Sequence, residues 1–150
     1  MGSLGSQIYD TTNSWRKQSM STELLMLLNS TILFFVIIIA QALIAIGQNG
    51  LSAQAGSRDN LNEPTVLRKR LQRLTANLQE NLVMFGLVVL IAHAAGVSND
   101  QTALGASLFF YARVAHAVVY AFGWPWIRPL CWFVSFVGLA MIVSQLFIMA

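Results

Sequence analysis

Arg113, His116 and Tyr120 stand at i, i+3 and i+7 in a stretch that otherwise reads as membrane-spanning helix. On a helix that spacing puts an arginine, a histidine and a phenol on one face, with Val114, Ala117, Val118 and Ala121 covering the rest. A guanidinium near mid-bilayer costs about 2.5–3.5 kcal/mol on insertion scales, so this face must meet a partner, a cavity or a ligand. Arg73, Asn77 and Glu80 form a second polar stripe at i, i+4 and i+7. If the two helices are antiparallel neighbours, Arg73 lies level with Tyr120 and Glu80 closer to Arg113. One reading is a buried Glu80–Arg113 ion pair that locks the helices together. That pair leaves Arg73, Asn77, His116, Tyr120 and Arg128 in surplus, more donors than one carboxylate satisfies. The surplus points to a bound anion with carboxylate groups and an ammonium, because guanidinium forks grip carboxylates and Glu80 can take an ammonium. A small zwitterionic peptide has that chemistry. A small transporter or proton-handling subunit built on Glu80, His116 and Arg113 is a different reading of the same charges.

The elements that position these residues follow from hydropathy. The chain has 150 residues, 56% of them hydrophobic and only 10% charged, and its mean hydropathy is +0.62. This composition excludes an ordinary soluble domain and fits one integral-membrane domain. Residues 1–21 are polar and read as a flexible tail; residues 22–150 carry four apolar runs, about 24–46, 71–95, 102–122 and 126–149. Each has the roughly 20 residues that a ~30 Å hydrocarbon core requires. The fold class is therefore all-α, a bundle of four transmembrane helices. Residues 47–70 read as a polar loop, Ser98-Asn99-Asp100 as a helix start, and Gly123 with Pro125 as a helix break.

The net charge of +3 reports topology rather than a nucleic-acid partner. Arg58, Arg68, Lys69, Arg70 and Arg128 would share one side, against Arg16 and Lys17 on the other. The positive-inside rule then places the 47–70 loop and the 123–125 turn in the cytoplasm and both termini outside. Trp124, Trp126 and Trp132 suit an aromatic belt at headgroup level. Cys131 is the single cysteine, so no intrachain disulfide forms, and no histidine or cysteine pair has metal-ligand spacing. His93, alone near the far end of the second span, reads as interfacial. Gln41 and Asn29 read as helix-bridging amides, and Gly86, Gly105 with Ala106, and Gly138 with Ala140 as close-packing positions.

Arg73-x-x-x-Asn77-x-x-Glu80-Asn81, followed by Arg113-x-x-His116-x-x-x-Tyr120-x-x-Gly123 and Arg128-x-x-x-Trp132, resembles the MAPEG family, the membrane-associated proteins in eicosanoid and glutathione metabolism. The resemblance runs from about Thr22 to the end of the chain. It implies a homotrimer of four-helix subunits with glutathione, a co-substrate, held between neighbours near the cytoplasmic side. Carried over residue by residue, it implies that Arg73, Asn77, Glu80, Arg113, His116 and Tyr120 bind glutathione. Arg128 sits where the family places an arginine facing the thiol, and a nearby guanidinium favours the nucleophilic thiolate. The implied activity is a glutathione transferase or peroxidase acting on small hydrophobic electrophiles that arrive from the lipid. A non-catalytic scaffold that binds lipid or glutathione is the alternative within the family. Gln48 and Asn49 stand where the eicosanoid synthases carry basic residues, and Ala76, Val83 and Pro129 also depart from prostaglandin E synthase. Gly56-Ser57-Arg58-Asp59 resembles the bacterial branch, which implies the bacterial inner membrane rather than the endoplasmic reticulum.

Overall fold

A computed structural model describes residues 20–57 and 61–149. Four long helices dominate it: α1 (Thr22–Asn49), α3 (Val66–Ala94), α4 (Asp100–Phe122) and α5 (Ile127–Met149), with a short α2 (Leu51–Ala55) after α1. All four long helices are long and apolar enough to cross a membrane, and no strand occurs among the described residues. The expected tail lies outside the described residues as far as residue 19, as do Arg58 and Asp59.

Local chemistry sets the helix ends. Ser21 caps α1 by accepting from the Leu24 N–H at 3.4 Å, and Thr65 caps α3 by accepting from Arg68 N–H at 3.3 Å. Asn99 and Thr102 form a reciprocal capping box at the start of α4, which satisfies orphan amides of the first turn. Gly123 ends α4 in the left-handed region at φ +80°, and its N–H bonds Val119 O at 3.0 Å. A side chain there would be strained, so the break expected at Gly123 is a backbone requirement.

Residues 47–70 are less of a loop than their polarity suggests. Helix α1 runs on to Asn49 and α3 starts at Val66, because a helix that leaves the hydrocarbon gains nothing by unwinding where its side chains are already solvated. The remaining connection is stitched by two amides. Gln48 Nε2 donates to Glu63 O and its Oε1 accepts from Thr65 N–H at 3.4 Å. Asn49 Oδ1 accepts from Asn62 N–H at 2.9 Å.

The interior has two apolar clusters. Phe85, Val89 and Ala92 of α3 meet Ala106 and Phe109 of α4, Leu139 and Ile142 of α5, and Met26 of α1; Phe85 and Phe109 stack with centroids 3.9 Å apart. Nearer the connection, Ile37 packs on Leu71, Leu74 and Leu78. Gln41 does bridge helices, accepting from Thr75 Oγ1 at 2.7 Å. Large apolar side chains such as Phe35, Leu43, Leu87 and Phe147 cover the outside, as a lipid-facing surface requires.

Helices α4 and α5 approach through Gly105 and Gly138. A Cβ at Gly105 would lie 2.6 Å from Gly138 O, and one at Gly138 would lie 2.5 Å from Gly105 O. Backbone touches backbone, so neither position has room to yield. Gly86 differs, since a Cβ there would meet only Leu27 Cδ1 at 3.6 Å. Gly105→Ala should therefore lower unfolding free energy in detergent by about 1–3 kcal/mol. Gly86→Ala should be neutral or stabilising by up to about 1 kcal/mol. Equal effects of the two substitutions in a denaturation series would refute this account of the α4–α5 seam.

Candidate functional site

The two polar stripes meet at one residue, Asn77, which reaches Arg113 in the half of the bundle where α4 finishes and α3 and α5 begin. Arg113 is 1% exposed. Its Nη1 donates to Asn77 Oδ1 at 2.9 Å and its Nη2 to Ser135 Oγ at 2.6 Å, while its Cζ lies 5.3 Å from the Phe109 ring centroid. One guanidinium thus joins α3, α4 and α5. The contacts are charge-assisted and cation–π, the strong forms of each. Arg113 Nε is buried with no hydrogen-bond partner among the described residues.

From Arg113 the site continues one turn at a time toward the connection. His116 is buried, and its ring lies 5.4 Å from that of Tyr120. Arg128, in the first turn of α5, places its Cζ 4.9 Å from the Tyr120 centroid and donates from Nε to Trp124 O at 3.2 Å. Asn77, Arg113, His116, Tyr120 and Arg128 therefore form one continuous polar line. The arrangement offers planar donors for carboxylates, an imidazole and a phenol for hydrogen bonding, and a guanidinium at the outer end.

Arg73 and Glu80 are elsewhere. Both are exposed on α3, and neither makes a hydrogen bond or ion pair among the described residues. Arg73 borders a shallow hollow with Lys69, Gln72 and Ala76. The Glu80–Arg113 ion pair does not form: Asn77 takes the guanidinium instead. The levels agree with an antiparallel α3–α4 pair, but three residues at about 100° each rotate Glu80 some 60° around the helix from Asn77 and off the inner face.

Three participants escape the sequence motifs. Ser135 is fully buried and receives Arg113; with Arg128 and Trp132 it forms an i, i+4, i+7 row on α5, which is the signal that marks it. Arg70 lies on Gly123, so close that a Cβ there would fall 2.5 Å from its Cζ, which ties the start of α3 to the end of α4. Arg68 opens the buried stripe of α3, with Nε and Nη1 unpartnered among the described residues. Gln48 and Asn49 spend their amides on the connection backbone rather than on the polar line. Cys131 is half-buried and its thiol is free.

The model of the MAPEG family matches residues 24–148. The chain belongs to the MAPEG family. That match covers all four long helices and most of the chain, and with their apolar surfaces it makes this an integral membrane protein. No curated protein and no solved structure matches the chain. MAPEG members include glutathione transferases and related enzymes, and the polar line holds the buried Arg113 and His116 of this member.

Ser135→Ala should cost about 1.5–3 kcal/mol of stability, as expected for removing a hydrogen bond to a charged group. In an Arg113→Met background the same change should cost less than about 0.5 kcal/mol, because the partner is gone. A double-mutant cycle in detergent with no coupling would detach Ser135 from Arg113.

Proposed function

We propose that this protein is a glutathione-dependent transferase or peroxidase whose co-substrate lies between neighbouring subunits of a homotrimer. The observation that carries the proposal is the polar line of Asn77, Arg113, His116, Tyr120 and Arg128 beside an outward-facing Arg73 and Glu80. Glu80 is the midpoint of the 29-residue α3, and an exposed carboxylate at such a depth needs a partner that lipid does not supply. A second copy covering that face, with a zwitterionic peptide between the copies, satisfies both surfaces. Glu80 then receives the ligand's ammonium, and Arg73 and Arg113 receive its carboxylates. Arg113 Nε is buried without a hydrogen-bond partner among the described residues, so a ligand uses it only once the side chains over it move aside. The basic residues Arg68, Lys69, Arg70, Arg73 and Arg128 sit toward one end, which the positive-inside rule assigns to the cytoplasm.

In this reading Arg128 acts on the thiol. Its guanidinium stabilises thiolate over thiol, and the thiolate attacks an electrophilic carbon from the bilayer, forming a C–S bond as the leaving group departs with its electron pair. With a hydroperoxide the thiolate instead takes the terminal oxygen. The alcohol leaves after protonation, and a second glutathione converts the resulting sulfenic acid to a disulfide with release of water.

Arg128→Leu should abolish the ultraviolet thiolate band of bound glutathione and most turnover of a chloronitrobenzene, while calorimetric binding persists. Arg128→Lys should be intermediate, since it keeps the charge but loses the planar fork. A wild-type protein that binds glutathione with neither thiolate nor turnover would leave the scaffold reading in place.

Mass measurement in detergent should give three chains, and Glu80→Gln or Arg73→Ala should weaken glutathione binding by about 2–5 kcal/mol, as loss of a buried charged contact does. A monomer that binds glutathione as tightly as the assembly would refute the shared site.

A further inference from the structure

The end of the bundle remote from Arg128 holds another buried charge. Glu23, in the first turn of α1, is 3% exposed. Its carboxylate accepts from Ser98 Oγ, at 3.1 Å to Oε1 and 3.2 Å to Oε2, and from Thr102 Oγ1. All of these donors are neutral. The Ser21 hydroxyl and the Glu23 backbone N–H also donate to it, so the carboxylate is well hydrogen-bonded, yet no donor carries a positive charge. No cation pairs with Glu23 among the described residues; the ion pair they contain is Lys69–Glu63, at the opposite end.

The same carboxylate lines a cavity of about 500 Å³, bounded by Ser21, Leu24, His93, Val97 and Ser98. It lies between the start of α1, the end of α3 and the turn into α4, at the end of the bundle. Buried charges are ordinarily paired or ligated, and this one borders the cavity with no cation beside it among the described residues. A single carboxylate is too few anionic ligands for a divalent ion, which prefers several oxygens at fixed distance. The volume is that of a small organic molecule, and the walls combine one carboxylate with an imidazole, two hydroxyls and aliphatic side chains.

We propose that this cavity binds a primary ammonium on a short carbon chain, with the ammonium on Glu23 and the carbons against Leu24 and Val97. Two sources carry that chemistry: the ethanolamine headgroup of a phospholipid and a free aliphatic amine. The three N–H groups of a primary ammonium match an acceptor set of carboxylate and hydroxyl oxygens. A quaternary ammonium has the same charge and no donors. This site is separate from the polar line and does not rest on the glutathione reading.

The test uses the full chain at pH 8, where an alkylamine is charged. One arm adds butylamine to detergent-purified protein and follows the thermal unfolding midpoint; the other compares nanodiscs of phosphatidylethanolamine with nanodiscs of phosphatidylcholine. A saturable rise with butylamine identifies a free amine as an occupant, and a higher midpoint in phosphatidylethanolamine identifies the lipid headgroup. Butanol should give no rise, and butyltrimethylammonium should bind at least about tenfold more weakly, the loss expected for charge-assisted hydrogen bonds. Glu23→Gln should remove the response, and Ser98→Ala, which keeps the charge, should retain it. If Glu23→Gln does not fold, the methylation series on the wild type decides. No response in either arm, a response that survives Glu23→Gln, or equal affinity for the primary and quaternary amines would overturn the proposal.

Discussion

Arg113 is the constraint around which the rest of the structure is arranged. A guanidinium within a helix bundle is tolerable only when its hydrogen bonds are made by groups that are themselves fixed. Asn77 and Ser135 do this from α3 and α5, and Phe109 lends a ring face from one turn away on the same helix. Removing any one of them leaves the charge in place and takes away part of what makes it affordable. The three helices therefore share a register set by one side chain, and that register puts His116, Tyr120 and Arg128 in succession along one line.

The glycine seam serves the same register. Backbone contact at Gly105 and Gly138 brings α4 and α5 close enough for a serine, the shortest hydroxyl side chain, to reach Arg113 Nη2 at 2.6 Å. A bulkier seam would separate the axes and put Ser135 out of range. Packing in the half of the bundle near Gly105 and hydrogen bonding in the half near Ser135 are thus coupled, although the two positions lie on opposite sides of Phe109.

Much of this was legible in the sequence. Four apolar runs give four helices, because in hydrocarbon a chain has few other ways to pair its backbone. Gly123 and the Asn99 cap set α4 by local rules, and the motif spacing placed Asn77, Arg113, His116 and Tyr120 on inward faces. What escaped has a common cause. Hydropathy in a membrane helix reports depth well and rotation poorly, since lipid and core are equally apolar. Glu80 was at the expected level and on a different face. Ser135 looks like a neutral hydroxyl until α5 is rotated against α4. Glu23 reads as a helix-start residue, and its partners Ser98 and Thr102 lie far along the chain, where no local periodicity connects them. The polar residues before Arg70 suggested coil, yet capping by Thr65 extends α3 well outside the apolar window.

The fastening of α4 has a mechanical consequence. Thr102 is tied to Glu23 at one end, Gly105 is seated on α5, Arg113 is gripped from both sides, and Gly123 lies under the Arg70 guanidinium. A rod pinned at both ends and at two points between neither slides along its axis nor turns about it. Helix α1 joins this frame through Glu23 at its start, and its middle is held to α3 by Ile37 against Leu71, Leu74 and Leu78 and by the amide of Gln41. Helix α4 is the stator of this molecule, and the other three long helices are set around it.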